Sequence, residues 1–313
     1  MLEAIGDGEI GRLSAPGEFV WLDLLEPPEE QVARIGRELG WHPLVIEDMT
    51  HWNQRAKLER YGDDYLFISF YGARREGTDG VTLVEVHLAV SGTYVVTVQR
   101  ERCPELEDLR RRLQRHGDVP EQFAVYSILD ALTDSFFPVL ERLDDRLDEL
   151  EDDIVRAPGD QELAEVFRTK RLIVDMRRVI TPQRDMAART LTDLADLPGL
   201  DAGTRDYFRD LYDHLIRIAD QLDSYRDLLT SVMDVYMSTV SNRLNVVIKQ
   251  LTIISTIFLP LSFVTGFFGQ NFGWLTEHIT SFGAFLALGI GGLVVPCIGL
   301  FVLFRRQGYF RDA

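Results

Sequence analysis

Cysteine is nearly absent from this chain: Cys103 and Cys297 are the only two in 313 residues, and neither belongs to a CxxC pair. That excludes a structural zinc site, a redox dithiol and a disulfide-stapled scaffold. Positive charge is scarce too, with 33 Lys plus Arg against 50 Asp plus Glu and a net of -17. Binding to nucleic acid needs clustered cations to neutralise phosphates, so no nucleic-acid partner is expected. The sequence contains no GxxxxGK[ST] loop, and His42, His51, His87, His116, His214 and His278 show neither HExxH spacing nor an accompanying nucleophile motif. The chain therefore reads as a non-enzyme with no organic cofactor, and His214 reads as an ordinary helix-surface residue.

What is present is enough for a core: 46% of residues are hydrophobic and 27% charged, which excludes disorder. The charge is very unevenly placed. From Arg243 onward there are five basic residues and two acids, leaving 28 basic and 48 acidic residues, a net of -20, for positions 1–242. Into the charge-poor last quarter fall two long apolar runs, 18 residues from Leu251 to Phe268 and 26 from Ile279 to Phe304. A helix of roughly 20 residues crosses a hydrocarbon core of about 30 Å, so both read as transmembrane helices, with a buried hairpin in a soluble protein as the alternative.

The loop between them has no Lys or Arg, whereas Arg243 and Lys249 precede the first run and Arg305, Arg306 and Arg311 follow the second. The positive-inside rule places both ends in the cytoplasm and the loop outside. No basic segment with a following apolar stretch opens the chain, so no export signal is expected. The resulting division is a cytoplasmic α/β domain over 1–120, a helical and stalk region over 121–245, a first span over 246–268, an outer loop over 269–280, a second span over 281–304 and a basic tail over 305–313.

Within the α/β part, Glu18 to Leu24 and Asp64 to Tyr71 are strand-like, and Val81 to Val90 with Thr93 to Val98 reads as a hairpin turning at Ser91-Gly92. Pro28 to Leu39, with acids in its first turn and Gly40 after it, reads as a helix. Further on, Pro158-Gly159 ends one long helix, and a second is expected from Gln161 to Leu197, kinked at Pro182 and closed by Pro198-Gly199. From Thr204 to Leu259 there are 56 residues with neither Gly nor Pro, which predicts a single rod of about 84 Å.

Steps of four and three residues along that rod pass through Asp234, Ser238, Ser241, Asn245, Ile248, Thr252, Ser255, Leu259, Ser262 and Gly266. In an ordinary coiled coil this seam is apolar. Here it is mostly polar or small and runs on into the membrane, where lipid satisfies no polar group; that face must line water or pack on other helices. The alternative is that the hydroxyls bond carbonyls one turn back at close helix contacts, with no pore. One two-span chain supplies one such helix, so a channel requires a closed cyclic homo-oligomer.

The segment from Asn242 to Phe272, NRLNVVIKQLTIISTIFLPLSFVTGFFGQNF, resembles the CorA-type divalent-cation transporters. The resemblance continues upstream through HPLVIEDM at His42, KLERYGDDYLFI at Lys57, AVYSILDAL at Ala124 and YFRDLYDHLIRIADQLDSYRD at Tyr207. It implies an α+β membrane protein: an N-terminal α/β domain, long stalk helices and two C-terminal transmembrane helices in a funnel-shaped homopentamer of the inner membrane. It implies passive influx of Mg2+, with Co2+ as a second substrate, controlled by cytosolic cations that bind between neighbouring domains.

Residue by residue, Gly269, Gln270 and Asn271 take the place of the family's Gly-Met-Asn filter, with Asn271 in the ring that meets the ion. Asp234, Asn245 and Ser262 fall at polar pore positions, joined by Thr252 and Ser255 of the seam, while Ile248, Leu251 and Leu259 fall at hydrophobic constrictions. Asp210 matches an acid of the regulatory metal site, whose partner carboxylate the sequence does not identify. Gln270 departs from the family's methionine, a position at which zinc-transporting relatives also vary, so zinc or another transition metal stays open as substrate, as does a non-conducting membrane-anchored sensor. Glu277 of the outer loop attracts cations or is an ordinary solvated charge, and Asn271 alone would also suit a helix C-cap. Gly269 and Gly273 would let the backbone turn sharply beneath the mouth.

Overall fold

The computed structural model describes residues 19–77, 80–116, 121–193, 203, 205–270, 272–278 and 281–306. Within these the chain divides into two compact units, 1–233 and 234–313.

The first unit is built on a five-stranded sheet in the order β1-β5-β4-β3-β2. Its strands are β1 (Val20–Leu25), β2 (Lys57–Tyr61), β3 (Tyr65–Glu76), β4 (Gly80–Ser91) and β5 (Tyr94–Gln99). The chain reverses between β4 and β5 around Ser91-Gly92, as its turn residues indicate, and β1 adds in parallel to β5 with Leu22 opposite Val96. All six residues of β5 are buried and so are nine consecutive residues of β3; strands covered on both faces read as nearly continuous apolar runs. Strand β2, KLERY, has no fully buried residue. It is an edge strand rich in charge, which is how edges are kept from pairing further and why its sequence carries little strand signal.

One face of the sheet is covered by α1 (Glu29–Glu38) and α2 (Pro43–Thr50). Val32 and Ile35 of α1 and Val45 and Met49 of α2 join Leu22, Phe67, Val96 and Val98 in one apolar cluster. The other face meets α4 (Glu121–Asp134), α5 (Phe137–Arg156) and α6 (Asp160–Asp193), while α3 (Pro104–His116) follows β5. Helix α4 comes so close to β3 that a Cβ on Gly72 would stand 3.0 Å from both the Leu132 and Ser135 side chains, and Ser135 Oγ accepts from Ala73 N at 2.7 Å. Helix α6 runs through Pro182, and the next residue, Gln183, accepts from Tyr71 N with its side-chain oxygen at 2.8 Å. The expected end of that helix at Leu197 and Pro198-Gly199 lies outside the described residues, as does Glu18 at the start of the first expected strand. At the head of α3, Cys103 is fully buried, and burial pushes its thiol up to about 12.

The rod is α7, a continuous helix over Arg205–Phe268. It begins where the Gly- and Pro-free stretch predicts and continues nine residues past Leu259, through Pro260. A proline there leaves one carbonyl of the preceding turn without its donor and still permits a helix. In its first part Phe208, Leu211, Leu215, Ile218, Leu222, Tyr225, Leu229 and Val232 repeat every three or four residues and are all buried, with Tyr225 OH donating to Leu140 O of α5 at 3.1 Å. On another side of the same helix Asp210, Asp213, Arg217, Asp220, Ser224, Asp227 and Ser231, spaced by three and four residues, are all exposed.

In the second unit, α7 continues from Asp234, followed by α8 (Gly273–His278) and α9 (Phe282–Arg306), whose residues Phe285–Ile290 form a π-helical stretch. Among the described residues three helices are long and apolar enough to cross a membrane: Phe123–Arg156, α7 and α9. In the first, 61% of the apolar window is buried inside the protein, against 0% in the other two. The first therefore spends its apolar face on the core of its own unit.

Candidate functional site

Helix α4 is mostly apolar between Phe123 and Leu132, with Ser127 Oγ bonded to a carbonyl of its own helix. At four-residue spacing, Tyr126, Asp130 and Asp134 share one face. Opposite them α7 presents Asp210 and His214, also one turn apart. The imidazole Nδ1 lies 3.5 Å from Asp130 Oδ1 and 3.3 Å from Asp134 Oδ1, and Nε2 lies 3.9 Å from Asp210 Oδ1. Tyr126 OH donates to Asp210 Oδ2 at 2.8 Å, and its ring stacks on Tyr207 with centroids 4.9 Å apart. The Phe137 ring stands nearly perpendicular to that of His214, with centroids 5.7 Å apart.

Three carboxylates held this close repel one another. Burial raises Asp130 to about 6, the charges of Asp134 and Asp210 adding to the rise and His214 and Tyr126 opposing it. Asp134 is raised for the same reasons, burial first. Asp130 Oδ1 and His214 Nδ1 are buried without an aligned hydrogen bond, and ligand atoms, one each from Asp130, Asp134 and His214, lie within 4.8 Å of one another. Unsatisfied donors converging on a point, with excess negative charge, suit a divalent cation. Carboxylate oxygens suit Mg2+, and the imidazole adds affinity for Co2+, Ni2+ or Zn2+.

Asp210, singled out from the sequence, thus has neighbours within its own chain, and His214 is a half-buried member of the cluster rather than a plain surface residue. Asp130, Asp134 and Tyr126 were missed. Their signal is the carboxylates on an otherwise apolar helix, which a core position tolerates only with partners.

The seam is a separate candidate, within the second unit. Asp234, Asn245, Ile248, Leu251, Thr252, Ser255, Leu259 and Ser262 are all exposed, Leu259 at 77% and Leu251 at 63%. The half-buried face of α7 is a different one, running through Ile253, Thr256, Ile257, Leu261 and Val264. Val264 packs where a Cβ on Gly292 of α9 would stand 3.9 Å away. At 3.6 residues per turn the two stripes are centred about 150° apart. Thr252 Oγ1 donates to Ile248 O at 2.8 Å, the one-turn-back bond of the packing alternative.

At the end of α7, Gly269 N donates to Thr265 O at 2.9 Å and Gln270 N to Phe267 O at 3.3 Å. A Cβ on Gly269 would stand 3.0 Å from the Thr265 carbonyl, so glycine here permits a tight close of the helix. Gly273 opens α8 with open space around it. Asn271 lies outside the described residues. Glu277 is exposed on α8, beside a stacked Trp274–His278 pair with centroids 4.6 Å apart.

The family model for the CorA-like Mg2+ transporter protein matches residues 16–306. The chain belongs to the CorA family. Its members are membrane transporters and not enzymes. The cobalt/magnesium transport protein CorA of Thermotoga maritima is 32% identical over 281 residues, covering 88% of this chain and 79% of that protein. The zinc transport protein ZntB of Yersinia enterocolitica is 27% identical over 250 residues, covering 77% of this chain and 73% of that protein. Among solved structures, the complete CorA magnesium transporter of Methanocaldococcus jannaschii superposes with a TM-score of 0.82 at 23% identity, covering 93% of this chain and 92% of that one. The chain therefore has the CorA fold, an α/β domain joined to a long helix, and belongs with divalent-cation transporters.

Proposed function

We propose that copies of this chain assemble as a homopentamer in the inner (plasma) membrane, both termini cytoplasmic, with α7 of each copy surrounding a pore for Mg2+ and secondarily Co2+. The bare polar seam carries this reading. On a helix long and apolar enough to span a bilayer, the seam faces away from α9. In lipid such a face needs water or other copies of the same helix.

Magnesium gives up its waters reluctantly, so a ring of Asn271 carboxamides would accept hydrogen bonds from the hydrated ion. A neutral ring holds the ion weakly enough to let it leave, whereas a carboxylate ring would retain it. Deeper in, Asp234, Asn245, Thr252, Ser255 and Ser262 supply polar steps, and Ile248, Leu251 and Leu259 supply collars that block by dewetting when closed. A divalent ion falling through 100 mV gains about 4.6 kcal/mol, so the inward-negative potential suffices as driving force. Glu277 would enrich cations at the outer mouth.

The cluster of Asp130, Asp134, Asp210 and His214 is the cytosolic sensor in this proposal. A bound cation relieves the mutual repulsion of its carboxylates and favours the closed state. A pH dependence follows. The raised Asp130, about 6 against about 3.9 unfolded, gives a stability contribution that is complete below about pH 4 and lost as pH rises through about 6. Cation binding needs the deprotonated group and restores stability only above that range. The midpoint of thermal unfolding in metal-free buffer is expected to fall between about pH 4 and 7. Added Mg2+ is expected to raise it at about pH 7.5 but not at about pH 4.5, and Asp130→Asn to flatten both responses. A magnesium response of equal size at both pH values would exclude the cluster.

The test of the whole proposal is flux of Mg2+, Co2+, Ni2+ and Zn2+ through the purified chain in liposomes. Saturable Mg2+ influx under a negative internal potential is expected. A preference for Zn2+ would favour the transition-metal reading that Gln270 and the ZntB likeness leave open, and zero flux of every ion would leave a membrane-anchored sensor.

A further inference from the structure

The unit that carries the chain's negative charge also contains a basic groove. A cavity of about 730 Å3 opens between the Trp52–Ala56 segment, the sheet and α6, and a second of about 300 Å3 continues it along α5 and α6. The two meet at Val81, Leu172 and Asp175. Nine arginines line the joined groove against four acids, Glu85, Glu101, Glu165 and Asp175, in a stretch whose net charge is -20 over residues 1–242.

Several of these guanidiniums already have partners. Arg146 pairs with Glu149 and Glu165, Arg168 with Glu165, and Arg177 with Asp223 at 2.6 Å. Arg55, Arg75, Arg100, Arg171 and Arg178 are exposed at the groove and belong to none of these pairs. Holding five cations outside these pairs along one groove costs mutual repulsion, which an anion of several charges would relieve; guanidiniums suit phosphate because they bind it bidentately. The larger cavity also contains an aromatic platform. Trp52 is stacked at 4.7 Å and 16° on His87, which is fully buried and bonded through Nε2 to Glu85 at 2.9 Å. Glu85 in turn accepts from Gln54 N at 2.9 Å, fixing the loop that carries the indole. Cations along a wall with a rigid ring at one end, in a volume typical of small-molecule sites, match a ligand with phosphates and a flat base.

We propose that this groove binds a nucleoside polyphosphate, with the phosphates on Arg55, Arg100, Arg171 and Arg178 and the base against Trp52. The test is equilibrium binding of ATP to the full-length protein in detergent, in magnesium-free buffer of low salt, against adenosine, inorganic tripolyphosphate and sulfate. ATP is expected to saturate one site per chain and to bind more tightly than tripolyphosphate. The exposed pair Arg100→Gln with Arg178→Gln is expected to weaken it by at least about tenfold without lowering the melting temperature, and Trp52→Ala to erase the preference for ATP over tripolyphosphate. Binding that does not saturate, that is unchanged in the double variant, or that sulfate matches at equal ionic strength would overturn the proposal. A preference for ATP that survives Trp52→Ala would overturn the placement of the base. No ion flux enters the measurement, so it stands or falls separately from the transport reading.

Discussion

Asn271→Ala is expected to reduce Mg2+ influx by at least about a hundredfold while leaving the protein folded and assembled. The side chain is proposed to act only through the carboxamide it presents to the ion's water shell. One neutral hydrogen bond contributes about 1 kcal/mol net, and five copies around an axis would together forfeit about 5 kcal/mol of capture energy. Each 1.4 kcal/mol is a factor of ten, so a hundredfold loss allows for partial compensation by water. Asn271→Asp separates capture from conduction: a charged ring should bind external Mg2+ more tightly and pass it more slowly. Uptake of Mg2+ in cells lacking other importers, with liposome flux on the purified variants, measures both. Wild-type influx through Asn271→Ala would remove the filter from the mechanism.

The second large effect is expected at the cytosolic cluster. Asp130→Asn combined with Asp210→Asn keeps the side-chain shapes but removes two of the three carboxylates around His214, one from each helix. The internal Mg2+ concentration that halves influx should rise by at least about tenfold, because carboxamides are poor substitutes for carboxylate ligands to a hard cation. The doubly neutralised protein should also be more stable in metal-free buffer at neutral pH, since a neutral carboxamide escapes both the burial cost and the repulsion that raise Asp130. Liposome flux at graded internal Mg2+ reads the first effect and calorimetry the second. An unchanged inhibition curve alongside raised stability would make the cluster a structural feature without a sensing role.

How much of this was legible beforehand differs by element. The β4–β5 hairpin and the long helix could be read because turn residues and the absence of helix breakers are local signals. The end of α7 at Phe268 coincides with the end of the apolar run and not with Pro260, through which the helix continues, so hydropathy marks it where the breaker residue does not. Strand β2 was hidden by its charges, and α2, eight residues long, is too short for a periodic pattern to stand out. At the candidate site, the polar seam was visible because it is one helix read at a fixed step. The partners of Asp210 were not, because Asp130 and Asp134 lie about 80 residues away in sequence and only the packing of α4 on α7 brings them near. Pairings of that range depend on tertiary contacts, which neither propensity nor local periodicity encodes.

The buried thiol at the head of α3 has a practical consequence. Cys103 is fully enclosed and burial pushes its thiol up to about 12, so maleimides and methanethiosulfonates should pass it by in the native protein. Replacing Cys297 alone would then give a background silent enough for single-site labelling. Probes introduced one at a time at Asn245, Thr252, Ser255 or Ser262 could report, by their rates of modification from either side of the bilayer, how far bulk water penetrates along the helix.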